Sequence, residues 1–157
     1  MRPFARSAIV IVAAAISASC TLEPPVAPAP DVENTTFASG LGVDLTKMTK
    51  TASGLYYQDL VAGSGVAAAS GNHVTVHYTG FLSNGTTFDT SIGKTPFGFT
   101  IGASQVIKGW DEGMVGARVG GTRRLVIPAS LGYGPVQNGA IPASSVLIFN
   151  IQLISIP

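Results

Sequence analysis

The last stretch of the chain alternates apolar and polar side chains, a pattern typical of a β-strand with one buried face. Within residues 146–156, four apolar side chains fall on one face: Leu147, Phe149, Ile151 and Leu153. Asn150 and Gln152 fall on the opposite face, and residues 74–78 alternate in the same way. Because successive side chains of a strand point to opposite sides, these segments predict a sheet with one face in the core.

Further segments carry strand and turn signals. Asn84-Gly85 is the strongest short-range hairpin signal, because both residues tolerate positive φ. The apolar run that follows Arg124 stops at Pro128, where a proline ends the hydrogen-bonded ladder. Residues 55–61 predict an earlier strand. Together these signals predict an antiparallel sheet of about five strands.

Residues 105–115 are the segment that predicts a helix, and Gly109 and Gly113 keep it short. Four apolar side chains fall on one helical face: Val106, Ile107, Trp110 and Met114. This face would pack against the sheet. We therefore predict an α+β fold in which a curled antiparallel sheet wraps around one short helix, leaving a concave mouth at the N-terminal end of the helix.

Residues 1–19 resemble an export signal. Arg2 and Arg6 precede a nine-residue apolar run that ends at Ile16, and small residues follow it. The run is much shorter than the ~20 residues that a membrane-spanning helix needs. A short anchor helix is the alternative interpretation.

Cys20 is the single cysteine of the chain, so it cannot form an internal disulfide. Its position after small residues resembles the lipid-attachment site of bacterial lipoproteins, although Ser17 stands where that family prefers Leu, Val or Ile. The resemblance implies that Cys20 is lipidated and anchors an exported protein to a bacterial membrane, facing the periplasm or the cell exterior. Plain secretion with cleavage nearby is the alternative.

Residues 20–50 predict a proline-rich tether and lead-in. Four prolines lie within residues 23–30, which favours an extended, semi-rigid spacer. Residues 31–50 show no strong periodicity. The remaining residues, 51–157, suit one domain with one core, which we expect to be a monomer.

Charge and motif content exclude several classes of function. Basic and acidic residues nearly balance, and no basic stripe indicates a nucleic-acid partner. The chain has two histidines and no G-x-S-x-G motif, which argues against a hydrolase. We find no metal-ligand cluster and no phosphate-binding loop, so we expect neither a metal nor a cofactor.

Aromatic residues lie in short motifs around the single tryptophan. The motifs are V-H-Y-T-G (76–80), F-D (88–89), V-I-K-G-W-D-E-G (106–113), L-V-I-P (125–128), Y-G (133–134) and I-P (141–142). In order and spacing they resemble the FKBP-type peptidyl-prolyl isomerases, over residues 51–157. From composition alone, such aromatic residues would be expected to form a structural core. We retain that interpretation for Phe99.

The resemblance implies a pocket. Its residues would be Tyr78, Phe88, Asp89, Phe97, Val106, Ile107, Trp110, Tyr133, Ile141 and Phe149. Trp110 would form the floor of the pocket. The catalytic residues would be Tyr78, Phe88, Asp89, Trp110 and Tyr133. The Ile107 N–H and the Tyr133 hydroxyl would bind carbonyls of the bound chain. Asp89 has the alternative of capping a turn.

The resemblance also implies a function. It predicts isomerisation of X–Pro bonds in unfolded or flexible polypeptides of exported proteins, by desolvation and stabilisation of a twisted amide, with macrolides as further ligands. A non-catalytic client-binding (holdase) module with the same pocket is the alternative. Residues 134–141 lack a histidine often found in the family, and they are too few for the inserted chaperone domain of some bacterial relatives.

Overall fold

The computed structural model describes residues 31–157. The predicted export signal, Cys20 and the proline run lie outside the described residues. The strands are β1 (Thr49–Lys50), β2 (Tyr56–Val61), β3 (His73–Leu82), β4 (Thr87–Thr90), β5 (Phe97–Thr100), β6 (Thr122–Ile127) and β7 (Leu147–Ser155), and the helix α1 is Lys108–Gly113. Three short 3₁₀ helices are Ser39–Leu41, Leu45–Lys47 and Ala129–Leu131.

All strands pair antiparallel, in the order β1-β2-β6-β7-β3-β4, with β5 also paired to β3. One edge of the long strand β3 therefore pairs with two different strands. Its first half pairs with β5 and its second half pairs with β4. The change of partner occurs between Val76 and Thr79, and Tyr78 lies at this break.

The front face of the sheet packs on α1, as the alternating pattern predicts. Leu147, Phe149, Ile151 and Leu153 are all buried in the main core. Gly109 and Gly113 lie against β6, since a Cβ on either would come within 2.6 Å of the Ile127 or Leu125 side chain. The two glycines thus let the helix approach the sheet closely and set the height of Trp110 above it.

The α+β prediction of a curled sheet around one short helix is confirmed, with two differences of extent. The sheet has seven strands rather than about five, because the two-residue β1 and the four-residue β5 lack a readable alternation. The helix begins at Lys108 rather than Gln105. Within residues 31–157 no helix is long and apolar enough to cross a membrane.

The helix starts late because hydrogen bonds hold the preceding segment in turns. The Asp111 carboxylate accepts from the backbone N–H groups of Gly102 and Ser104, and Ser104 has a positive φ of 55°. Ile107, with φ −61° and ψ 149°, is extended. The prediction that Val106 and Ile107 lie on the helical face is therefore wrong. Asp111 of the helix thus anchors this loop.

Residues 31–50 were expected to be a tether that blends into a lead-in, and the structure shows that they pack against the sheet. Val32, Leu41 and Met48 are buried in a second core on the reverse face of the sheet. There they pack with Tyr56, Val126, Val146 and Ile148. The lack of periodicity reflects 3₁₀ turns and extended chain, in which buried residues recur at irregular spacing.

Candidate functional site

Trp110 forms the centre of an aromatic group at the N-terminal end of α1. The indole is 4% exposed, and three rings stand edge-on to it. The centroid distances from Trp110 are 5.1 Å to Tyr78, 6.2 Å to Phe97 and 5.2 Å to Phe149. Such edge-to-face pairs stabilise by about 0.5–1.5 kcal/mol each beyond the area that they bury. The surrounding rings therefore fix the orientation of the indole.

Tyr78 is held in place through its backbone at the break in β3. Its N–H donates to the Ser91 hydroxyl at 2.9 Å, and its carbonyl accepts from the Ser91 N–H at 3.0 Å. The Ser91 hydroxyl is buried and lies 3.1 Å from Nδ1 of His77. His77, on the strand face opposite to Tyr78, is thus placed to make a structural hydrogen bond. No sequence pattern pointed to Ser91, because its role follows from the change of strand partner.

The Tyr78 hydroxyl donates to Oδ2 of Asp89 at 2.6 Å. Burial, followed by the hydrogen bond to Asp89, raises the pKa of Tyr78 to about 12. Oδ1 of Asp89 accepts from the Thr90 N–H at 2.8 Å. Asp89 therefore faces the pocket with one oxygen and bonds the next backbone N–H of β4 with the other, and it does not cap a turn.

Phe88 and Phe149 form a wall that depends on Gly80. The two rings pack edge-to-face with centroids 5.4 Å apart. A Cβ on Gly80 would lie 2.6 Å from the Phe88 ring and 2.8 Å from the Phe149 ring. The absence of a side chain in this position of β3 is thus required for both rings to lie where they do.

The segment before α1 supplies another side of the pocket. Val106 and Ile107 are half-buried and line the cavity as extended chain. Gln105 lines it too, and its side-chain oxygen accepts from the Thr100 N–H at 2.8 Å. Sequence reasoning missed Gln105, although its place directly before Val106 was an available signal.

Tyr133 and Ile141 come from the long connection between β6 and β7. Tyr133 lines the cavity and is 40% exposed. Burial, and then the charge of Asp89, raises the pKa of the Tyr133 hydroxyl, which therefore keeps its proton at neutral pH. Ile141 is 7% exposed and lines an adjacent cleft that it shares with Phe88, Asp89 and Tyr133, not the main cavity itself.

The resulting cavity has a volume of about 180 Å³. It is lined by Tyr78, Phe88, Asp89, Phe97, Gln105, Val106, Ile107, Trp110, Tyr133 and Phe149. The structure therefore brings nine of the ten predicted pocket residues together and puts Ile141 beside them. The volume is below the ~300–1,000 Å³ of pockets for drug-sized ligands, so the cavity suits a single side chain of a longer ligand.

The groups that give the cavity its chemical character are aromatic rings, protonated tyrosine hydroxyls and one carboxylate. In residues 31–157 no group of three or more His, Cys, Asp or Glu side chains is placed to hold a metal ion. The indole Nε1 of Trp110 is buried without a hydrogen-bond partner among the described residues. The floor is therefore an aromatic ring, and the carboxylate and the tyrosine hydroxyls lie at the rim.

A larger cavity of about 240 Å³ lies near the C-terminal end of α1. Its buried charge, Arg123, bonds the Asp59 carboxylate and the carbonyls of Gly113 and Val115. The guanidinium thus caps the end of the helix and has structural partners. We assign the candidate site to the aromatic cavity.

A comparison with protein-family models matches residues 65–154 to FKBP-type peptidyl-prolyl cis-trans isomerase. The chain belongs to this family. The matched region contains every residue that lines the aromatic cavity.

Two curated FKBP relatives differ in how much of them the chain covers. The chain is 48% identical over 105 residues to "FK506-binding protein" of Neisseria meningitidis serogroup B, covering 66% of this chain and 96% of the relative. It is 53% identical over 106 residues to "FK506-binding protein 4" of Dictyostelium discoideum, covering 66% of this chain but 28% of that longer relative. The chain thus spans nearly all of one FKBP relative and about a quarter of the other.

Solved structures show the same fold. AtFKBP13 superposes with a TM-score of 0.65 at 39% identity, covering 70% of this chain and 98% of that chain. FkpA from Escherichia coli also gives a TM-score of 0.65, at 34% identity, covering 75% of this chain and 55% of that chain.

Proposed function

We propose that the chain is a peptidyl-prolyl cis-trans isomerase that acts on proline-containing unfolded or flexible polypeptides. The observation that carries this proposal is the aromatic cavity over the Trp110 indole, with the protonated hydroxyls of Tyr78 and Tyr133 at its rim. Family membership supports it. The size of the cavity suits one proline ring rather than a whole folded ligand.

The chemistry needs no covalent step. Rotation about a peptide C–N bond has a barrier of ~18–20 kcal/mol, because resonance must be broken. Water stabilises the planar, more dipolar amide, and the twisted transition state has less charge separation. A cavity that withdraws water and fits the twisted form therefore lowers the barrier. An acceleration of about 10⁴ requires only ~5.5 kcal/mol of such differential binding.

Each group has a role in this proposal. The proline ring rests on Trp110 between the rings of Tyr78 and Phe149. The Ile107 N–H and the Tyr133 hydroxyl donate to carbonyls of the client. Asp89 holds the Tyr78 hydroxyl by accepting a hydrogen bond from it at 2.6 Å, which keeps the Tyr78 ring against the indole.

An assay with purified protein and a proline peptide tests the function. We expect faster cis/trans exchange than in buffer, with Trp110→Ala strongly reducing it. A chain that binds unfolded clients or a macrolide such as FK506 without accelerating exchange would instead be the holdase. No acceleration and no binding would reject both.

The cellular setting is part of the proposal. A lipid on Cys20 would attach the monomeric protein to a bacterial membrane and let the domain meet exported clients in the periplasm or at the cell exterior. Mass spectrometry of the native N-terminus tests this. An acylated Cys20 as the first residue supports it, whereas an unmodified thiol or a start at another residue overturns it.

A further inference from the structure

Residues 31–48, which we call the strap, cover part of the reverse face of the sheet. Val32, Leu41 and Met48 are 2%, 8% and 9% exposed and pack on Tyr56, Val126 and Ile148. The match to the family model begins at residue 65, so the strap lies outside the region that defines the family. The match to the family model therefore does not explain what the strap contributes.

Polar contacts fix the strap at two further points. Arg124, 9% exposed, donates from Nη1 to the carbonyl of Gly42 at 2.8 Å and from Nε to the Asn150 side chain at 2.9 Å. Glu33 accepts from the Tyr56 hydroxyl at 2.7 Å and pairs with the Lys50 ammonium. These contacts lower the pKa of Glu33, so the carboxylate stays charged.

The strap also touches the turn between β3 and β4. The Ala38 N–H donates to the carbonyl of Ser83 at 2.8 Å. The Ala38 methyl group lies 3.3 Å from the position that a Cβ on Gly85 would take, and Gly85 has a φ of 90°. This turn leads directly into β4, which carries Phe88 and Asp89 into the pocket.

The strap covers one face of the paired strands β3 and β7, and the pocket wall lies on the opposite face. Phe81 pairs with Ile148, and both belong to the reverse-face core. The adjacent pair, Gly80 with Phe149, faces the cavity, and the Phe88 ring packs against Gly80. The residue of β3 that contacts the strap side and the residue that faces the pocket are adjacent in the chain. A displacement of the strap would therefore also move the pocket wall.

We infer that the strap is a positioning element for the pocket. It holds the β3–β4 hairpin and thereby fixes Phe88 and Asp89 relative to Trp110 and Tyr133. The activity test of this inference rests on the proposed function. The contacts between the strap and the hairpin support the inference without that test.

The sharpest test removes one hydrogen bond. Ala38 has φ −60° and ψ 136°, which proline can adopt, so Ala38→Pro deletes the N–H donor at a compatible backbone. Ala38→Ser keeps the donor and serves as the matched control. In the full chain we expect Ala38→Pro to lower kcat/KM by about 2–10-fold, the range for one lost hydrogen bond.

Amide hydrogen exchange separates positioning from general stability. If the strap positions the hairpin, exchange in Ala38→Pro rises at residues 84–90 and stays unchanged in β2 and β6. A uniform rise, or unchanged exchange at the hairpin, overturns the inference, as does unchanged kcat/KM in a chain that is an active isomerase. Should the unaltered chain show no isomerisation, the proposed function fails while the exchange comparison still decides the role of the strap.

A second pair of variants covers the case in which Ala38→Pro does not fold. Leu41→Ala removes a buried side chain of the strap, and Thr36→Ala changes an exposed one. We expect exchange at residues 84–90 to rise in Leu41→Ala and not in Thr36→Ala, alongside any rise in β2 and β6, with which Leu41 shares the reverse-face core. Equal exchange in the two variants overturns the inference.

Discussion

The Tyr78 hydroxyl donates a 2.6 Å hydrogen bond to the carboxylate of Asp89, and the two residues lie on neighbouring strands of one hairpin. A hydrogen bond to a charged acceptor is shorter and about twice as strong as a neutral one. It therefore couples the ring that lies 5.1 Å from the Trp110 centroid to the strand that carries Phe88. Removing the hydroxyl tests how much of the site depends on this link.

We expect Tyr78→Phe to lower kcat/KM about tenfold, equivalent to ~1.4 kcal/mol, because the ring loses its anchor and Asp89 loses a donor. The proline-peptide assay measures this. Tyr57→Phe is the matched control, since Tyr57 lies under the Arg123 guanidinium, outside the cavity. Equal losses in the two variants would contradict a specific role for the Tyr78 hydroxyl.

Alkaline pH should lower the stability of the fold through Tyr78. The folded state raises the pKa of this tyrosine from 10.0 to about 12. Between these values the unfolded chain has released the proton and the folded chain retains it, so the free energy of unfolding falls as pH rises. Chemical denaturation at a series of pH values measures the slope. Tyr78→Phe should reduce the slope above pH 10, and an unchanged slope would show that other groups cause it.

Gly80→Ala should damage stability and activity together. The added methyl group would meet the Phe88 and Phe149 rings within 2.8 Å, and overpacking of this kind costs about 1–3 kcal/mol. We expect a lower denaturation midpoint and weaker binding of proline ligands. Gly40→Ala, with no atom within 4 Å of the new Cβ, should stay within about 0.5 kcal/mol of the unaltered chain. Unaltered ligand binding in Gly80→Ala would argue against our account of the wall.

Arg123→Met should separate stability from activity. The guanidinium is 5% exposed and holds Asp59 and the carbonyls at the end of α1. We expect a loss of about 2–3 kcal/mol in the free energy of unfolding, at the lower end for a broken pair because Asp59 is 46% exposed and regains water. Under conditions where the variant is folded, kcat/KM should not change. A fall in kcat/KM under those conditions would show that Arg123 affects the pocket as well as the stability of the fold.

The front face of the fold could be predicted from sequence because its signals are local and periodic. The alternation at Leu147, Phe149, Ile151 and Leu153 gave the strand and its buried face, and Asn84-Gly85 gave the hairpin. Most of the pocket followed from a family resemblance, since no periodicity indicates that Phe97 and Tyr133 share a cavity. Ile141 was expected in that cavity and lies in the cleft next to it.

The reverse face could not be predicted in the same way. Burial of Ile148 and Val126 depends on Val32, Leu41 and Met48, which are distant in sequence and lie in segments without helical or strand periodicity. The late start of α1 likewise depends on a contact, from Asp111 back to Gly102 and Ser104. Propensity and spacing describe neighbours along the chain, and these features arise from neighbours in space.

Trp110 is the single tryptophan of the protein, and its indole is both almost fully buried and the floor of the cavity. Selective excitation of tryptophan fluorescence therefore reports on one known place in the molecule. Occupation of the cavity alters the polarity above that ring, and unfolding exposes it to water. The native chain thus contains its own optical probe for both ligand binding and denaturation, and it needs no attached dye.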